Sequence, residues 1–375
     1  MSFSFSIWIG ASPDLNGGSV EDANRSNEAA HWTIDRVLAP MGQCRRQEDK
    51  QMAKLFIGLS ILLLSFFNSE AGAQVKITVG QAGINPGTSL YFIAQKEKFF
   101  DKHGLEVKIV STTTTAAVQG MLGGSLHLTL GAGPAFASAT LEGAPPFVVV
   151  SSWVNVFPYY IVARKEIGKI QDLKGRTGQV GATFGSAPDV ALRFGLSKLG
   201  INPEKDVKLI QMPRPDWINV IAQIEKGDVQ FSVLPPPYDR MGEKRGFHTL
   251  YALPELGIQW QQNGEWVLKS YAASHRDAIL RFERALADSM NVYFTQKSKT
   301  IGYLMEFLGS NKEDTEYAYQ AFARWADKNP RPKAESIKNT LQAIAATTPA
   351  AAKANPAAFI DTSFVDQLLK EGYFK

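Results

Sequence analysis

The sequence predicts an α/β protein of two lobes. Strand-like and helix-like segments alternate through the middle of the chain, the alternation restarts after Arg164, and from Asp277 onward the pattern is almost all helical. Alternating βα units imply mostly parallel sheets covered by helices, and two clusters of such units imply two lobes. A chain of 375 residues is long enough for both.

The first cluster opens at Val75–Val79, apolar at alternate positions, which reads as a strand. A breaker-rich loop, Gly80 to Gly87, leads into a helix from Thr88 to Lys102, stopped by Gly104. Leu105–Val110 alternates again. Thr115 to Leu122 reads as a short helix, Leu126–Leu130 as a strand, and Pro134 suits the first turn of a helix running to about Glu142. Phe147–Ser151 and Tyr159–Ala163 are apolar strands. In the second cluster the strands are Thr177–Val180, Val207–Ile210 and Val229–Val233. The helices are Ala187–Leu199, stopped by Gly200, and one capped by Asp216 and stopped by Gly227. Glu265 to Ala272 reads as a return crossing, and an Ala/Pro-rich joint at Ala345–Ala358 interrupts the helical end. These readings assign 74–163 to the first part of lobe I and 164–264 to lobe II. Residues 265–375 become the return crossing and C-terminal helices packing on lobe I.

The N-terminal region has its own logic. Leu55–Phe67 is a short apolar run, with Met52-Ala53-Lys54 before it and Ala71-Gly72-Ala73 after it. A positive start, a short apolar core and a small-residue exit describe a secretory signal peptide over 52–73, and the run is too short to span a bilayer. The 51 residues ahead of Met52 show no sustained apolar period, so they read as an over-extended start, with a disordered extension as the alternative. The lone cysteine, Cys44, falls there, which leaves 74–375 without a disulfide, a thiolate metal site or a cysteine nucleophile. A net charge of only +4 argues against a dedicated nucleic-acid binder. His103, His127, His248 and His275 have no metal-ligand spacing, and no phosphate loop or catalytic triad signature is present.

Tyr91-Phe92-Ile93-Ala94-Gln95-Lys96-Glu97-Lys98-Phe99-Phe100 is followed by Gly104-Leu105-Glu106-Val107. Gly131-Ala132-Gly133-Pro134-Ala135, Glu142-Gly143-Ala144-Pro145, Ile170 to Gly175, Asn202 to Val207 and Gly227-Asp228-Val229 come next. In this order the motifs resemble the solute-binding proteins of ABC importers in the sulfonate, taurine, nitrate and thiamine-pyrimidine-precursor group. The resemblance runs from Val75 to about Lys375. It implies a type II periplasmic binding protein fold, with two α/β lobes, two crossover strands and a helical C-terminal region. It also implies a monomeric periplasmic receptor without cofactor, metal or catalytic residues, which passes a small-molecule ligand to a permease in the inner membrane.

Ligands of open parallel sheets sit beyond the carboxyl ends of the strands, where helix N-termini favour acceptors. That places Asn85, Thr88, Thr114 and Gly133 of one lobe at the cleft, with Gly185 and Ser186 of the other. Ser186-Ala187-Pro188-Asp189 also fits a capping box, so Ser186 reads as a helix cap, a ligand donor, or both. Phe157, Tyr159, Trp217 and Tyr238 fall at cleft edges and suit a flat ligand, with core packing as the alternative for each. Arg214 or Arg193 could meet an anion. The rival reading is an enzyme on the same fold acting on a small sulfinate or a thiamine-pyrimidine-related substrate. The resemblance would then call for a cysteine that 74–375 lacks.

Overall fold

The computed structural model describes residues 74–212 and 216–374. The signal peptide, the N-terminal extension and Arg214 lie outside the described residues. Ten strands form two five-stranded sheets: β1 Val75–Ala82, β2 Leu105–Thr112, β3 Leu128–Gly131, β4 Phe147–Val154, β5 Tyr160–Ala163, β6 Thr177–Gln179, β7 Lys208–Ile210, β8 Phe231–Leu234, β9 His248–Ala252 and β10 Asn263–Leu268. The first sheet runs β2-β1-β3-β10-β4 and the second β7-β6-β8-β5-β9. In each, four strands run one way and one runs against them, β10 in the first and β5 in the second.

This topology corrects two boundaries. Tyr159–Ala163 does not end lobe I, because β5 bonds to β8 and β9 in the second sheet, with Tyr160 opposite Leu234. The chain therefore leaves lobe I through 155–159. Glu265 to Ala272 is not the return crossing either. The return is 253–262, Glu265 sits inside β10, and 269–272 is already helix Lys269–Ser274. A short apolar strand carries no label for the sheet it joins, and only its pairing partners decide that. The two crossings bond to one another: Leu253 N–H to the Tyr159 carbonyl at 2.9 Å and Trp260 N–H to the Asn155 carbonyl at 2.9 Å. Beside them, Phe157 stacks on Trp260 at 4.2 Å between ring centroids.

Local chemistry accounts for most of the helices. Asp216 accepts from Asn219 N–H at 3.0 Å to cap Trp217–Lys226, and Gly227 ends that helix at φ +89°. Thr113 caps Thr114–Leu122. The expected helix from Thr88 to Lys102 is broken into Ser89–Lys96 and Phe99–Lys102 by Lys98 at φ 56°. No glycine marks that left-handed residue, so it leaves no trace in the sequence. β9 also carries little sequence signal, because none of its residues is fully buried.

Lobe I packs its sheet on helices Ser89–Lys96 and Arg276–Thr295, around Val79, Leu90, Phe282 and Leu286. Tyr293 stacks on Tyr319 of helix Lys312–Trp325 at 4.9 Å, which ties that helix to the same core. Its first turns also reach lobe II. Arg240 pairs with Glu313 at 2.7 Å, Lys244 pairs with Asp314, and Tyr317 donates to Asp239. Burial pushes the Asp239 carboxyl up to about 6. Its other oxygen, Oδ1, has no partner among the described residues. Stability tied to that carboxyl is therefore present below about 3.8 and eroded as pH rises to about 6. Asp239→Asn keeps an acceptor for Tyr317 and removes the buried charge. It should raise stability by about 1–2 kcal/mol at pH 7–8 and leave it nearly unchanged near pH 4. Urea titrations at both pH values check this, and equal effects at the two would refute it.

Candidate functional site

The carboxyl ends of the parallel strands in both sheets face one cleft. Two adjoining cavities lie in it, of about 40 Å³ and about 30 Å³. Each is room for only a few water molecules. At these two cavities the lobes leave little space between them.

Lobe I contributes Gly83 and Asn85 after β1, Thr112–Thr114 after β2 and Ala132 after β3. Thr88 does not line the cavity. It is fully buried and braces the loop, accepting from Asn85 N–H at 3.2 Å and donating to the Asn85 or Gly83 carbonyl. The Asn85 side-chain oxygen is engaged by Gly87 N–H at 2.9 Å, which leaves its amide N–H groups for the cavity. Gly133 also falls outside. A Cβ there would meet Gln261, Trp266 and Thr340 at 3.1–3.2 Å, so its role is close packing.

Lobe II contributes Ser186, Ala187 and Pro188. The expected capping box does not form. Ser186 stands at the N-cap of helix Ala187–Lys198 with φ −77° and ψ 166°, yet its hydroxyl makes no cap bond. Pro188 removes one first-turn N–H that such a cap would use. Asp189 reaches back to Gly185 N–H at 2.8 Å, and burial raises its carboxyl. Ser186 lines the cavity, and its buried hydroxyl has no partner among the described residues. Gly185 itself lies in an outer groove with Phe184 and Arg193. Arg193 is spent on Asp189 at 2.7 Å and on Glu204, so it does not face the inner cleft. Among the described residues no charged side chain lines either inner cavity.

Tyr159 and Trp217 line both cavities. Tyr238 does not. It is the first residue of helix Tyr238–Glu243, and its ring sits 6.3 Å from that of Trp217. Phe157 belongs to the packing between the crossings. Trp217 has a specific seat: Gly181, at φ +78°, would bring a Cβ within 2.4 Å of the indole, so only glycine allows the ring to lie there. Sequence reading missed Gln262, which ends the return crossing, Asn263, which opens β10, and Phe322 and Trp325 of helix Lys312–Trp325. The first pair needed the correct crossing boundary. The second pair comes from a distant segment with no local signal.

Comparison with known proteins adds to this geometry. A protein of Brucella abortus provisionally named a binding protein is 28% identical over 185 residues, 48% of this chain and 56% of its own length. The chain thus spans about half the length of the curated relatives it matches. The alkanesulfonate-binding protein SsuA of Xanthomonas axonopodis pv. citri, solved with MOPS, superposes with a TM-score of 0.64 at 16% identity, covering 78% of this chain and all of SsuA. The periplasmic nitrate-binding protein NrtA of Synechocystis superposes with a TM-score of 0.63 at 14% identity, covering 80% of this chain and 91% of NrtA. At such identities the likeness shows the fold, a two-lobed periplasmic binding protein architecture. The family model described as NMT1/THI5 like matches residues 85–298, more than half of the sequence, and the chain belongs to that family.

Proposed function

We propose that this protein is the solute-binding subunit of an ABC importer, a periplasmic receptor that closes its two lobes on a small solute and hands it to a membrane permease. One observation carries the reading: among the described residues the inner cleft has an uncharged lining, shared by both lobes, in which the buried Ser186 hydroxyl has no partner. A buried polar group left unpaired is costly, and a solute offering an acceptor there would satisfy it. Tyr159 and Trp217 suit a solute with a flat apolar face. The group it offers to Ser186 is that of a sulfonate, a nitrate, an aromatic carboxylate or a pyrimidine.

A thermal-shift screen over those four classes tests the proposal. A true ligand at a hundredfold excess over its dissociation constant should add about 2.7 kcal/mol of stability. Mass spectrometry of the recovered solute should find it unchanged. A solute converted with turnover would favour the enzyme reading, and a panel with no stabilising member would defeat the receptor reading.

A further inference from the structure

The return crossing carries a hydrogen-bond chain whose direction is decided by its first member. Trp260 is fully buried, and its indole N–H can only donate. It meets the Gln262 side chain at 3.0 Å, so the atom facing it must be the amide oxygen. The amide nitrogen of Gln262 is thereby turned the other way, onto the Tyr159 hydroxyl at 2.9 Å. The reverse amide orientation would set N–H against N–H. The Tyr159 oxygen therefore accepts, and no acceptor among the described residues takes its proton. Tyr159 lines both inner cavities.

Resting on the receptor reading above, we infer that Trp260 and Gln262 form a positioning relay that fixes Tyr159 as a donor to the bound solute. The cleft then selects a solute with a hydrogen-bond acceptor at that point and rejects one with a donor there. Two other polar groups of the cleft agree. Asn85 has its oxygen engaged by Gly87, which leaves its N–H groups to donate, and Ser186 has a hydroxyl proton to give. Both lobes thus present donors to the same space. Specificity built this way is strong because a mismatched solute leaves buried donors facing a donor.

The relay can be tested in the empty protein. Ultraviolet resonance Raman difference spectra, parent minus Tyr159→Phe, report whether the Tyr159 hydroxyl accepts or donates. The parent should read as an acceptor. Trp260→Phe keeps a ring to stack on Phe157 but removes the N–H together with part of the indole, which frees the Gln262 amide to turn. In that variant the accepting signature should weaken. Calorimetry then compares pyridine N-oxide, which only accepts, with aniline, which chiefly donates. The parent should prefer pyridine N-oxide by about tenfold, and Trp260→Phe and Tyr159→Phe should reduce that preference to about twofold. A parent Tyr159 that reads as a donor, or a preference unchanged in Trp260→Phe, would overturn the relay while leaving the receptor reading standing. The Raman result decides the relay even if neither probe binds. Failure of both probes and of the whole solute panel would overturn the receptor reading instead.

Discussion

Glu283→Gln should flatten the pH profile of stability between about 4.5 and about 8. Glu265 of β10 and Glu283 of helix Arg276–Thr295 are both fully buried beneath the lobe I sheet. Tyr91 donates to Glu265 at 2.6 Å and Ser151 to Glu283 at 2.9 Å. The remaining oxygen of each carboxyl has no partner among the described residues. Burial pushes Glu283 up to about 8, and burial together with the neighbouring Glu283 holds Glu265 well above the usual carboxylate range. The folded state therefore keeps a proton that the unfolded chain releases above about 4.5. Stability from this group is fully present below that pH and is lost as pH rises toward 8, where the loss levels off. A glutamine has the same shape and no proton to lose. It should exceed the parent by about 2–3 kcal/mol at pH 8 and match it near pH 4.5. Urea denaturation of both proteins at the two pH values measures this, and parallel profiles would show that the pair does not titrate in this window.

Trp217→Ala should weaken binding of a solute found by the panel by about 30-fold or more, because the indole lines both inner cavities and buried aromatic anchors dominate binding energy. Tyr238→Ala should cost less, about three- to tenfold, since Tyr238 backs the Trp217 ring and does not face the cavity. Gly181→Ala should reproduce much of the Trp217 effect without touching the indole, by occupying its seat. His248→Ala, on the exposed end of β9, serves as the neutral control. Titration followed by Trp217 fluorescence gives all four constants in the parent, Tyr238, Gly181 and His248 proteins, and calorimetry gives that of Trp217→Ala. Equal affinity in the parent and Trp217→Ala would remove Trp217 from the cleft wall.

Much of this architecture is legible from residue order. Hydrophobic period marks most strands of both sheets, β9 excepted, Asp216 and Gly227 bracket their helix, and Pro134 opens another, because each depends on chemistry within a few residues. Asn85, Thr114, Ser186, Tyr159 and Trp217 are reachable for the same reason: loops after parallel strands lie at the cleft whatever the details.

What residue order leaves open is decided by contacts between distant segments. β5 could have closed either sheet, and only its bonding to β8 and β9 assigns it to lobe II. The capping motif at Ser186 is present in the sequence, yet Asp189 turns to Gly185 and Arg193, and the hydroxyl makes no cap bond. Gly133 and Phe157 carry the same local signals as true lining residues but are covered by Thr340 and Trp260. The polarity of Tyr159 is set by Trp260 through Gln262, a hundred residues along the chain. Local periodicity and capping are short-range effects that a sequence carries on its face, whereas the direction of a hydrogen bond and the side from which a ring is covered exist only once the lobes have packed.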